Sequence, residues 1–167
     1  DAHGTVVSGV VAAALGDGDA VGVAPGAEIT GFRVGFGAGG SMAQISTQMQ
    51  NMATVDVANN SWSYSGYFGD DFATSTFAAA GAAIRNAAEI GRGGLGTVIT
   101  FAAGNSRQGG DDVNYHSFQN SRFTIAVGAI GQDGDIANFS TPGAAVLVSA
   151  PGSSIYSTDV QGSGGYS

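Results

Sequence analysis

Short apolar runs alternate with segments of helical period along this chain, and that alternation limits the folds open to it. In VITFAA (98–103), Val98, Ile99 and Phe101 are the β-branched and aromatic residues that suit a buried strand. EITGFRV (28–34), VDVANNS (55–61), and stretches near 123–129 and 146–149 read as further strands. Between them apolar residues recur at helical spacing. Val6, Val7, Val10, Val11 and Ala14 mark a first helix, broken by GDGD at 16–19. Met42, Ile45, Met49 and Met52 mark a second, and Phe77, Ala80, Ile84 and Ala88 a third. Strands separated by helices of this length pair in parallel, so the expected fold class is α/β, a mostly parallel sheet with helices on both faces. The 167 residues are expected to form a single domain without internal repeats. Sites in such folds form at the carboxyl ends of strands, where Asn105, Asn60–Ser61 and the glycines at 35–40 fall.

Composition narrows the partners. Thirteen acidic residues face five basic ones, all arginine, for a net charge of −8. Such a surface repels nucleic acid and anionic membranes. No apolar run approaches the length of a membrane span. With no cysteine, disulfides, thiol catalysis and Cys-ligated metals are excluded.

The glycine loop GFGAGG invites a nucleotide reading, because Gly35, Gly37 and Gly40 satisfy G-x-G-x-x-G between a strand and a helix. The acidic residue required about 20 positions on is met only loosely by Asp56, and a chain with 29 glycines produces the pattern by chance. A flexible or edge-strand loop is the better account.

His3, in HGTVVSG, is either a solvated residue at a helix start or a proton-transfer group with room beside it at Gly4. Asn105 has two readings as well. An Asn after a strand commonly forms a turn. Here it follows Ala102, Ala103 and Gly104, so its amide stands beside a floor of small residues and can aim at charge developing on a carbonyl oxygen. That role needs a base, for which His3 and His116 are the candidates.

Six blocks in order, HGTVVSGVVAA, VGVAPGAEI, NNSWS, TVITFAAGN, FTIAVGAI and VLVSAPGSSIYST, resemble the subtilisin-like serine proteases over essentially the whole chain. GRGGLGTVITFAAGN (91–105) with the SW pair at 61–62 looks closest to the kexin, or proprotein-convertase-like, branch. The resemblance implies that His3 is the general base of a Ser-His-Asp triad and that Asn105 is the oxyanion-hole amide. It places Gly35, Gly37 and Gly39 on one side of the substrate and Ser61, Trp62 and Ser63 on the other. A polypeptide substrate would then add between them as an extended strand. It also implies a secreted or cell-surface protein.

The family's triad Asp lies upstream of the histidine, and Asp1 is too near His3 to serve. Its nucleophile lies in a G-T-S context that neither Ser163 nor Ser167 has. The expectation is a central part of a peptidase domain, inactive by itself. LGDGDAVGVA matches a loop that binds calcium in many subtilases, with Asp17 the best side-chain ligand and Asp19 second; a solvated polar turn is the alternative. Kexin-branch enzymes line their primary pocket with carboxylates, and here those places fall near Gly66 and His116. Neither is an acid, although Asp70, Asp71, Asp111 and Asp112 lie close in sequence, and Trp62, Tyr64 and Tyr67 offer apolar surface. A non-catalytic subtilase-like binding module is the competing reading. Retention of both His3 and Asn105 speaks for the enzyme.

Overall fold

A computed structural model describes residues 2–16, 20–35 and 40–159. The chain divides into two compact units, Asp1–Gly31 with Ser154–Ser167, and Phe32–Ser153.

In the first unit, helix α1 spans Ala2–Ala12. It ends ahead of the 16–19 glycine-aspartate run, as its apolar spacing predicts. Residues 22–24 return along it, with Gly22, Val23 and Ala24 N–H groups donating to the carbonyls of Ala13, Val10 and Val11. From the far end of the sequence, Ser157 Oγ donates to the Val6 carbonyl at 2.7 Å and Thr158 Oγ1 to that of Thr5 at 3.0 Å. Gly9 permits this approach, since a Cβ there would run into both hydroxyls.

The second unit holds the sheet. Strands β1 (Val57–Asn60), β2 (Val98–Ala102), β3 (Ile125–Ile130) and β4 (Val146–Pro151) lie in the order β1-β2-β3-β4, all parallel. Helix α2 (Met42–Asn51) connects to β1 through a 3-10 turn at Met52–Thr54, and α3 (Ala78–Gly94) joins β1 to β2. Ser41 caps α2 by accepting the Gln44 N–H at 3.2 Å, satisfying one of the donors a helix start leaves unpaired. The expected segment 28–34 forms no ladder among the described residues: a strand exists only where a neighbour accepts its hydrogen bonds, and this one finds none there.

Pleating explains which residues form the core. Ala58, Ile99 and Phe101 point to one face and pack against Ile45 and Met49 of α2 and Ala80, Ile84 and Ala87 of α3. The alanines on α3 bring its backbone close to the sheet, and α2 lies along it. The opposite pleat carries Val57 and Val98, which are 61% and 42% exposed. Within this unit, then, both helices sit on the same face of the sheet. Ile84 is wholly buried at their junction, so Ile84→Ala should cost about 2–5 kcal/mol, read as a lowered urea midpoint with unchanged slope.

Candidate active site

Strand β2 decides the geometry at its own carboxyl end. Phe101 fills the core, and the side chains then shrink through Ala102 and Ala103 to Gly104. Gly104 has φ +103, in the left-handed region that favours glycine, and a Cβ there would stand 3.0 Å from Thr141 Oγ1 and 3.3 Å from Ser63 Oγ. Its carbonyl accepts the Thr141 N–H at 3.0 Å, while the Ser106 N–H donates to Thr141 Oγ1 at 3.0 Å. Asn105 is therefore fastened on both sides by one buried threonine, with its own side chain exposed. It borders a cleft of about 160 Å³ at the carboxyl ends of β2, β3 and β4, walled by small residues such as Ala103, Gly128, Ala129 and Ala150.

Ser61, Trp62 and Ser63 leave the end of β1 beside this point, with the Ser63 hydroxyl close to Gly104. Asn59 donates to Ser61 Oγ at 2.9 Å. The Trp62 ring turns inward and meets Phe101 at 5.2 Å and Phe118 at 5.0 Å, edge to face. Tyr64 also turns inward, stacking on Phe118 and donating its hydroxyl to Met42 Sδ. Both rings are half-buried, packed on the core with part of their surface left open. Tyr67 does remain exposed. Gln119, buried, donates to the carbonyls of Ala102 at 3.1 Å and Trp62 at 3.5 Å, stitching the two segments together. Its Oε1 meets no donor among the described residues.

The structure thus brings Ser61, Trp62 and Ser63 together with Asn105. His3 lies in the first turn of α1, exposed, in the unit that does not contain Asn105. Gly35 follows Val34, which packs on the core of the second unit. Gly37, Gly39, Asp17 and Asp19 lie outside the described residues. Among the described residues no three His, Asp or Glu side chains are arranged to hold a metal ion.

Sequence reasoning missed the most polar feature of this region. His116 is 1% exposed, with Nδ1 3.0 Å from Asp70 Oδ1 and Nε2 3.0 Å from Asp111 Oδ1. Burial by itself would lower its pKa, but hydrogen bonds and charge from Asp111 and Asp70 outweigh that and raise it above the ordinary 6.5. The remaining Asp70 oxygen accepts the Phe118 N–H at 3.2 Å. Asp111 in turn accepts the Asp112 N–H at 2.9 Å and donates its own N–H to the Ser106 carbonyl at 3.3 Å. Of the four acids near the expected pocket positions, Asp70 and Asp111 are thus spent on the histidine. The 46-residue gap between Asp70 and His116 carries no periodicity that would announce the pairing.

Comparison with known proteins gives the family and the fold. Residues 1–166 match the family model Peptidase_S8, the subtilase family. The chain is 32% identical over 166 residues to a "dibasic-processing endoprotease" of Schizosaccharomyces pombe, covering 97% of this chain and 23% of that protein. It is 30% identical over 165 residues to "kexin" of Candida albicans, covering 96% and 17%. Among solved structures, a protease of Pseudoalteromonas arctica superposes with TM-score 0.71 at 28% identity, covering 93% of this chain and 45% of that one. A cold-adapted subtilisin-like serine proteinase gives 0.70 at 26% identity, covering 94% and 51%. The chain therefore spans less than a quarter of the curated relatives' length and about half of the solved ones. It belongs to the subtilase family, with the four-stranded parallel α/β sheet of a partial subtilisin-like domain.

Proposed function

We propose that these residues are the central part of the peptidase domain of a secreted or cell-surface serine endopeptidase. The observation that carries the reading is Asn105, clamped by Thr141 on a small-residue floor beside Ser61–Ser63. With the backbone on both sides of Asn105 held in this way, only its side chain has to settle when charge develops on a carbonyl oxygen, and little reorganisation is what makes an oxyanion hole effective. Polypeptide substrate would lie as a strand along Ser61–Ser63, with Gly35, Gly37 and Gly39 on its other side. His3 would take the proton from a serine hydroxyl and return it to the leaving amine, held in its tautomer by an aspartate. In the protein that carries this chain, Asn105→Ala should lower kcat by about 10²–10³, the loss known for such a donor in subtilisin, with little change in KM. His3→Ala should abolish turnover. Wild-type rates on a peptide substrate in either variant would refute the assignment.

The primary pocket is read from its charges. Asp70 and Asp111 are both engaged by His116, while Asp71 and Asp112 are turned to the N–H groups of Ala73 and Asn114. A buried Lys or Arg without a partner is strongly disfavoured. The protein should cleave after apolar or aromatic residues and leave dibasic sites uncut, although relatives carry a dibasic-processing name. Profiling on a peptide library checks this, and a dominant Arg or Lys before the cut would overturn it.

Calcium binding is common in the family, and hard carboxylate oxygen on a glycine-bent loop suits Ca²⁺. With Asp17 as side-chain ligand, thermal stability should rise with calcium and fall in EDTA. Asp17→Ala should lose that response in a melting curve.

A further inference from the structure

Two loops frame the candidate site. One leaves Ser61–Ser63 and runs to Asp70; the other leaves Asn105 and runs to His116. Neither contains a helix or strand beyond 3-10 turns; the Phe68 N–H donates to the Tyr115 carbonyl at 3.1 Å and the Tyr67 hydroxyl to that of Gly109 at 3.0 Å, and buried side chains complete the join. His116 is placed to do so. One ring nitrogen faces the first loop through Asp70, and the other faces Asp111, whose N–H holds Ser106 next to Asn105. A neutral imidazole has one N–H and can donate to one carboxylate only; the other nitrogen would then oppose an oxygen at 3.0 Å, lone pair to lone pair. The imidazolium donates to both.

We propose that His116 is a positioning residue of the substrate cleft. Held as an imidazolium between Asp70 and Asp111, it tightens the join between the Ser61–Ser63 wall and the Asn105 wall and loosens it when it loses its proton. The inference rests on the peptidase reading for its consequence in activity but not for the clasp itself. Phe118 and Gln119, just beyond His116, carry the effect to the site, the first through its ring on Trp62 and the second through its bonds to Trp62 and Ala102.

The ionisable neighbours are accounted for. Tyr64 faces Asp70, and burial followed by that charge raises its hydroxyl above the ordinary 10.0, so it stays neutral while the histidine titrates. Asp71 turns to the Ala73 N–H, Asp112 to the Asn114 N–H, and Tyr115 to the rings of Tyr67 and Phe68. The sign follows from the raised pKa of His116. Its contribution to stability is complete below the unfolded value of 6.5 and is lost as pH rises through the folded value.

Asp70→Asn is the informative variant. An amide there can donate its NH₂ to a neutral His116 Nδ1 while its oxygen still accepts from Phe118, keeping the clasp without the proton. In the full-length protein, kcat/KM should fall roughly tenfold per pH unit above the His116 midpoint, with the loss mainly in KM, and Asp70→Asn should remove that limb. Long-range ¹H–¹⁵N spectra should show both His116 nitrogens protonated at pH 6 in the wild type and one in Asp70→Asn. An alkaline limb unchanged in Asp70→Asn, or a wild-type ring neutral at pH 6, would overturn the proposal. If the protein cleaves no peptide, the peptidase reading fails, while the spectra and the pH dependence of thermal unfolding still decide the clasp.

Discussion

Phe118 is the contact on which the site region depends. Its buried ring meets five others, those of Trp62, Tyr64, Phe72, Phe77 and Phe101, with centroids between 4.8 and 6.3 Å. Most of these pairs are edge to face, the arrangement that an aromatic quadrupole favours, each adding about 0.5–1.5 kcal/mol beyond buried area. The partners come from the end of β2, the segment after β1, and the turn leading into α3. A loop with no ladder of its own thereby gains its apolar anchor on the sheet. Around that anchor, Gln119 reaches the ends of two strands and His116 reaches two aspartates.

The ionic triad is unusual in a chain only 11% of whose residues are charged. Burying charge is costly unless each ion has partners, and here one histidine serves two carboxylates while backbone N–H groups take remaining oxygens. Such an arrangement gives geometric specificity more than net stability. An apolar cluster of the same volume would hold the loops at least as firmly, but it would not respond to protons.

Much of this was legible in the sequence, and what was not has physical causes. The parallel sheet follows from apolar runs at 55–61, 98–103, 123–129 and 146–149, because local pattern fixes local structure. The Asn105 floor follows too, since the shrinking side chains of Ala102, Ala103 and Gly104 are visible in a row. Segment 28–34 has a strand's composition, but strandhood also requires a neighbour, which composition does not report. The inward turn of Trp62 and Tyr64 depends on space under the loop, set by Phe77 and Phe118 far along the chain. His116 was read as a substitution in a pocket, whereas its meaning lies in Asp70 and Asp111, and long-range pairing leaves no periodic trace.

The hydroxyl bonds from Ser157 and Thr158 to α1 carry a kinetic consequence. They join residues separated by 151 and 153 positions and close the whole sheet unit into one long loop between them. The conformational entropy of that closure must be surrendered before the contacts return anything, and folding rates fall as contacts become less local. On a ribosome, α1 emerges well before Ser157 and Thr158 and cannot receive these partners until they are free of the exit tunnel. The sheet unit, whose contacts lie between residues 32 and 153, has no such wait. Helix α1 is thus completed later than the sheet, and until then the carbonyls of Val6 and Thr5 wait for these donors.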